Sequence, residues 1–351
     1  ILKIKSLRKE KFVSVRKIGT SAEGRAVYSL KFGRGRKRVL AWTQMHGDEP
    51  ISTLAALDFL SRLFQRDNAE EKEEMLSKLT FELIPLLNPD GAVKNIRYNS
   101  FGIDINRDAL TLISPEAKIL QNEFQKFKPH FALNLHDQDC YHTAGNSQEP
   151  VWLSFLATVG SEKKKETAPR RKSMNVIGKT VSELKKLGIK NIARYDDEFE
   201  PRAFGDNFVK AGTAVILIEA GCAEKKTRGE FERKLFSTAL YSVLKNIANY
   251  RSDLKFVEQY KKLPENGERM LDLIFENVAI KRGTKISLGV KEGKIEAAGD
   301  LSVYGAFEKI DANGLFLIGE KMPGENANFS LTTKSGKKVL TCKKGKITWA
   351  K

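Results

Sequence analysis

Three apolar runs in this chain each end in an ionisable side chain, and that pattern limits the fold more than any other feature. Val39-Leu-Ala-Trp-Thr-Gln-Met leads into His46, Phe131-Ala-Leu-Asn-Leu into His136, and Ala214-Val-Ile-Leu-Ile into Glu219. Successive apolar residues, as in 214–218, read as a strand buried on both faces. A sheet of such strands needs helices on both sides. Strand-like runs near Val13–Arg16, Ala26–Phe32, Val39–Trp42, Leu79–Pro85, Phe131–Leu135 and Ala214–Ile218 alternate with helical patterns at Ser52–Gln65, Pro115–Lys126, Met174–Leu187 and Thr227–Lys262. The expected class is therefore α/β, with a mixed central sheet and helices on both faces. Strand ends are where such proteins place function, because loops carry chemistry while the sheet gives rigidity.

His46-Gly-Asp-Glu49 sets an imidazole and a carboxylate three residues apart, so both can turn toward one ion. Hydrolytic zinc takes three protein ligands of this kind and keeps one position open. The chain has only four histidines, and His136 offers the third ligand from a second strand end. Two readings stand at this point: a zinc site, or two unrelated polar residues at strand ends.

A second cluster follows. Asn88-Pro-Asp-Gly reads as a turn, since Pro presets φ and Gly accepts positive φ. Beyond it come Arg97, Asp104, Asn106 and Arg107, around a bend at Gly102. Arginine presents a rigid fork of donors that matches a carboxylate. Beside a metal site these residues suggest a held substrate anion; the alternative is a solvated basic loop.

H-G-D-E, N-P-D-G, R-x-N-x-x-G-x-D-x-N-R and a strand ending in His, in that order, resemble the zinc carboxypeptidases of the carboxypeptidase A type. Gly19-Thr-Ser-Ala-Glu-Gly-Arg-Ala-Val-Tyr-Ser-Leu looks like that family's opening strands, and the resemblance runs over about residues 10 to 222. It implies one Zn2+ per chain on His46, Glu49 and His136. Asp104 would hydrogen-bond the first zinc histidine. Arg97 would polarise the scissile carbonyl, and Asn106 and Arg107 would clamp the terminal carboxylate of the substrate. The family's general base falls on Glu219, whose other reading is a plain strand-terminal Glu in solvent. The reaction implied is metal-assisted amide hydrolysis of a peptide, and the implied fold is phosphorylase/hydrolase-like.

The chain also departs from that family. Tyr195 is the nearest tyrosine before Glu219, but no motif anchors it to the mobile tyrosine of digestive members, and it is given no role. The segment Asp196 to Asp206 is highly charged; it reads as a solvated loop, with Arg202 or a carboxylate as a candidate contact to a substrate side chain. Asp108 stands where an aromatic or Asn is common. Chains resembling succinylglutamate desuccinylase and aspartoacylase share the ligands and the Asn-Arg pair, so an N-acyl amino acid deacylase is the alternative activity. A catalytically silent peptide-binding relative is the other. The expected partner is a peptide or acyl-amino acid with a free carboxylate.

Charge and cysteine usage bound the rest. The net charge is +17, from 61 basic and 44 acidic residues. Basic runs at Arg34–Arg38, Lys163–Lys172 and Lys337–Lys346 are scattered, without a recognition helix or stacking motif, so no nucleic acid is expected. No apolar stretch reaches the ~20 residues of a membrane span. The three cysteines, Cys140, Cys222 and Cys342, suggest no disulfide framework; they read as buried fillers and favour a cytoplasmic setting. The start Ile-Leu-Lys-Ile-Lys lacks Met, which leaves a periplasmic or secreted protein with a removed leader as the alternative.

At 351 residues the chain is long for a single core. A catalytic domain is expected over 1–262. After Leu263-Pro-Glu-Asn-Gly-Glu, short strands and the hairpin signals Lys291-Glu-Gly-Lys and Asn313-Gly predict a small all-β domain over 263–351, a sandwich or barrel. That tail resembles the small β-domain of amidohydrolases through Asp272-Leu-Ile-Phe-Glu-Asn, Val290-Lys-Glu-Gly-Lys-Ile-Glu-Ala-Ala-Gly-Asp and Ile310-Asp-Ala-Asn-Gly. No histidine follows His142, so an amidohydrolase metal site is excluded on ligand supply.

Overall fold

Side chains alternate across a strand with a period of two, so a strand buried on both faces must feed two separate cores. The computed structural model shows this arrangement; it describes residues 13–64, 69–280, 284–313, 315–321, 328–344 and 346–349. The chain divides into two units, Ile1–Asp139 with Val151–Asn266, and Cys140–Pro150 with Gly267–Lys351.

The strands in chain order are β1 (Ser14–Thr20), β2 (Ala26–Gly33), β3 (Lys37–Thr43), β4 (Leu79–Ile84), β5 (Phe131–Asp137), β6 (His142–Ala144), β7 (Leu153–Ala157), β8 (Ile192–Arg194) and β9 (Ala214–Ala220). All except β6 form one mixed sheet in the order β1-β2-β4-β3-β5-β9-β7-β8. The centre of it, β4-β3-β5-β9, is parallel. The helices are α1 (Pro50–Leu63), α2 (Ala69–Lys78), α3 (Pro89–Lys94), α4 (Pro115–Phe127), α5 (Ala168–Lys186), α6 (Phe204–Lys210), α7 (Glu230–Ala248) and α8 (Leu254–Lys261).

Val39, Ala41, Phe131, Leu133, Leu135, Ala214, Ile216 and Ile218 pack in one core with residues of α1, α5, α7 and α8. Leu40, Trp42, Ala132 and Val215 pack in the other with Phe204 and Phe208 of α6 and Leu120 of α4. Continuing the alternation assigns His136 and Glu219 to the α4/α6 face, and the two are direct partners in the β5–β9 register. The expected α/β class with a mixed, two-sided sheet is found.

Several local expectations are corrected. The run 227–262 is not one helix: α7 ends at Ala248 and α8 restarts after Asp253, whose side chain accepts from the Lys255 amide at 2.9 Å. An N-capping Asp offers the backbone a better partner than helix continuation does. Asn88-Pro-Asp-Gly opens α3 rather than a turn, with Asn88 accepting from the Gly91 amide at 2.9 Å and Pro89 in the first helical turn. Helix α2 escapes the periodicity because, among its described residues, only Met75 and Leu76 are buried. Cys140 and Cys222 are both disulfide-bonded, while Cys342 is a buried thiol outside any disulfide. Cysteine usage therefore gives no argument for a reducing compartment.

Helices α5 and α8 meet at Gly178. A Cβ there would lie 1.9 Å from the Phe256 carbonyl oxygen, a backbone atom that cannot swing away. Gly178→Ala is expected to destabilise the first unit by about 1–3 kcal/mol; urea unfolding checks it, and an unchanged midpoint would show that the helices can separate freely.

In the second unit β6 pairs with β10 (Asn266–Glu268). The remaining strands are β11 (Met270–Ala279), β12 (Lys285–Lys291), β13 (Lys294–Gly299), β14 (Gly305–Asp311), β15 (Leu315–Lys321), β16 (Asn328–Thr333), β17 (Lys338–Lys343) and β18 (Lys346–Trp349). Their pairings run β12-β13-β18-β17-β16-β15-β11 and return from β11 to β12, which closes a ring, with β14 parallel beside β11. Leu273, Phe275, Leu288, Val290, Leu331 and Leu340 fill its core. Among the described residues no helix is long and apolar enough to cross a membrane.

Candidate metal centre

His46 and Glu49 lie in the connection from β3 to α1, and His136 is the sixth residue of β5. Since β3 and β5 are hydrogen-bonded neighbours, both sets emerge at the same edge. His46 Nδ1 lies 2.6 Å from Glu49 Oε1, and His136 Nδ1 lies 2.7 Å from Glu49 Oε2. One ligand atom from each of the three lies within 4.8 Å of the others, and the group could hold a metal ion. Two imidazole nitrogens and a carboxylate match the donor types zinc takes.

Glu49 stands at the N-cap of α1 but makes no capping bond with its side chain. Asp137 caps the helix in its place, accepting from the Ile51 amide at 2.6 Å and the Ser52 amide at 2.8 Å. Orphan amides at a helix start are thereby satisfied from a neighbouring strand, and the Glu49 carboxylate is left to the histidines. The Asp137 amide also donates to Glu49 Oε2 at 3.2 Å. Burial, reinforced by the charge of Glu49, pushes the Asp137 carboxyl up to about 7. Gly47 lets the ligand loop approach α3: a Cβ there would sit 2.1 Å from the Gly91 carbonyl carbon.

The basic cluster folds onto this centre. Asp104 Oδ1 lies 3.2 Å from His46 Nε2, and its Oδ2 accepts from Arg97 Nε at 3.0 Å. Arg97 also reaches Glu49, with Nη1 3.6 Å from Oε1. Asp104 Oδ1 accepts from the Asn106 amide at 2.8 Å, which starts the short 3-10 turn Ile105–Arg107. Asn106 Oδ1 accepts from the Phe204 amide at 3.3 Å. Arg107 is not open on all sides, because its Nε sits 3.2 Å from Glu200 Oε2.

Glu219 is buried beside these groups. Burial raises its carboxyl well above the ordinary range, and the charges of Glu49 and Asp137 raise it further, against Arg97 and Arg228. Tyr195, to which the sequence assigns no role, stands in the field of the same carboxylates. Its ionisation is suppressed by Glu219 first, then by burial and Glu49. Asp137 is the residue whose place directly after His136 puts it within reach of the pocket in the sequence; Glu200 lies in the charged segment 196–206 that reads as a solvated loop with a carboxylate as a candidate contact, and Tyr195 carries no sequence signal.

A zinc carboxypeptidase family model matches residues 2–183, just over half of the chain. The match includes His46, Glu49, Arg97, Asp104, Asn106, Arg107 and His136 and stops before Glu219. Carboxypeptidase 2 of Trichophyton rubrum is 31% identical over 116 residues, 32% of this chain and 20% of that protein. Probable carboxypeptidase 2 of Trichophyton verrucosum is 27% identical over 120 residues, 34% of this chain and 23% of that protein. The chain thus spans about a fifth of the length of the curated relatives it matches. Among solved structures, a metallo-carboxypeptidase from Burkholderia cenocepacia has a TM-score of 0.57 at 15% identity, covering 70% of this chain and 66% of that one. A metallo-carboxypeptidase from Pseudomonas aeruginosa, in complex with (2-guanidinoethylmercapto)succinic acid, has a TM-score of 0.54 at 18% identity over 71% and 68%. These structures share the fold; the family match, extending over half the sequence, places the chain in the zinc carboxypeptidase family.

Proposed function

We propose that the protein is a zinc-dependent carboxypeptidase that cleaves the C-terminal amide bond of peptides. The observation that carries this reading is the convergence of His46 and His136, each through Nδ1, on the two oxygens of Glu49, with Glu219 paired to His136 in register. A zinc ion held by His46, Glu49 and His136 supplies Lewis acidity and makes water nucleophilic near neutral pH.

The remaining work falls to the chain. Glu219 takes the proton of the attacking water and returns it to the leaving amine, as a general base and then acid. Arg97, held by Asp104, aims its guanidinium where the carbonyl oxygen gains charge. Asn106 and Arg107 receive the terminal carboxylate and fix the bond to be cut.

Asp104 carries a separate expectation. Partners that orient a ligating histidine are worth about 10–100-fold in metal affinity. Asp104→Ala is therefore expected to weaken zinc binding by about that factor, read by competition with a chromophoric chelator. Unchanged affinity would mean that His46 is oriented by packing alone.

The activity is tested with zinc-loaded protein on unblocked peptides, C-terminally amidated peptides and N-acyl amino acids. Release of C-terminal residues from the unblocked set alone supports the proposal. Release of acyl groups would make the protein a deacylase instead. Stoichiometric zinc with no turnover would point to a peptide-binding relative.

A further inference from the structure

Arg107, the residue offered above as the clamp for a substrate carboxylate, already has a carboxylate on it. Glu200 Oε2 lies 3.2 Å from Arg107 Nε. The same Glu200 is held more fully from its other side, where Arg202 donates Nε to Oε1 at 2.8 Å and Nη2 to Oε2 at 2.7 Å. The Arg202 amide adds a bond to Oε1 at 3.0 Å. This pairing holds the Glu200 carboxyl down to about 2, first through Arg202, so it is ionised at any physiological pH.

The three side chains are fixed in one frame. The Ala109 amide donates to the Arg202 carbonyl at 3.0 Å, and the Phe204 amide to Asn106 Oδ1 at 3.3 Å. Water still reaches them: 38% of the Arg107 side chain and 25% of the Glu200 side chain are exposed. Arg107 Nη1 donates to the Asn106 carbonyl at 3.0 Å.

We propose that Glu200 is a built-in competitor for the substrate carboxylate at Arg107, a specificity-determining residue that sets KM. This rests on the carboxypeptidase reading. The contacts are unequal, and that inequality makes exchange easy. Glu200 can release its ion pair with Arg107 while keeping all three hydrogen bonds from Arg202. The arriving α-carboxylate gains Arg107 but meets the negative charge of Glu200. Charge at the rim of a site acts on binding more than on later steps. Glu200 therefore weakens binding of terminal carboxylates, while an amidated terminus is indifferent to it. Arg202 limits the competition by holding Glu200 back.

Two variants move in opposite directions. Glu200→Gln is expected to tighten binding of an N-acetylated amino acid to the zinc-loaded protein by about two- to fivefold, as exposed ion pairs allow. Its amide should bind as before, and KM for unblocked peptides should fall while kcat does not. Arg202→Ala frees Glu200 for Arg107 and should weaken binding of the same N-acetylated amino acid. Calorimetry gives the two dissociation constants, and steady-state kinetics gives the split between KM and kcat. Equal changes for acid and amide, or no tightening in Glu200→Gln, would overturn the role of Glu200 and leave the carboxypeptidase reading standing. A wild-type protein that neither binds the acid nor cleaves unblocked peptides would overturn both.

Discussion

Glu219→Gln is expected to keep zinc at about one ion per chain and to lower kcat about 1000-fold, with KM little changed. Gln preserves the shape of the side chain but cannot take a proton, so only the proton-transfer step is removed. Two features tie this step to Glu219. It is the register partner of His136, and its buried carboxyl is raised well above the ordinary range, first by burial and then by Glu49 and Asp137. A cation held by Glu49 would offset part of that repulsion. In the proposed role the base works ionised, so activity should fall as pH drops through the raised value, with an acid limb above the ordinary carboxylate value of 4.5. Retention of more than about a tenth of wild-type kcat in Glu219→Gln would remove this residue from the reaction.

The same shift has a consequence for stability, with the opposite sign to function. An acid whose folded pKa is raised favours the folded state only while protonated. Above the unfolded value near 4.5 the unfolded chain gives up this proton more readily, so folding is penalised increasingly until the folded pKa is reached. The metal-free Glu219→Gln protein should therefore be more stable than metal-free wild type at pH 7 and gain nothing at pH 4. Active-site charge kept at the expense of stability is a common trade-off. Thermal unfolding at the two pH values reads it.

How much of this was legible in the sequence depended on which residues act through local pattern. The apolar runs ending at His46, His136 and Glu219 revealed both the two-sided sheet and the edge where chemistry collects, because strand periodicity is a short-range property. The spacing of His46 and Glu49 was legible for the same reason. Relations between distant loops were not. Nothing near Asp137 says that it caps a helix eighty-odd residues earlier, and nothing near Glu200 says that it meets Arg107. Tyr195 stood unassigned because its distance from Glu219 in sequence says little about its place in a sheet of crossing connections. The helix break at Asp253 was missed through reading apolar spacing ahead of cap chemistry. The helix at Asn88-Pro89 was missed because Asn-Pro serves a turn and a helix start equally well.

Glu49→Gln is expected to do the reverse of Glu219→Gln: the ion is lost, and activity goes with it. Glu49 has four neighbours in the centre, with His46 at 2.6 Å, His136 at 2.7 Å, the Asp137 amide at 3.2 Å and Arg97 at 3.6 Å. Burial would raise its carboxyl, yet His136 and His46 overcome burial and hold it below the usual carboxylate range. It is therefore a permanent anion between two imidazoles, the charge that a dication would share. Removing one buried partner of an ionic cluster costs about 3–5 kcal/mol, which corresponds to roughly 1000-fold in zinc affinity. Dialysed Glu49→Gln should then carry little zinc where wild type carries about one ion. Metal-free wild type should likewise be inactive and recover on addition of zinc. Ligand binding stabilises the folded state by about 4 kcal/mol at a thousand times the dissociation constant. That corresponds to a rise of roughly 10 °C in Tm for a unit of this size, which zinc should produce in wild type and largely fail to produce in Glu49→Gln. A variant that kept zinc through dialysis and kept the full rise in Tm would show that the ion is held elsewhere, and the proposed reaction would lose its centre.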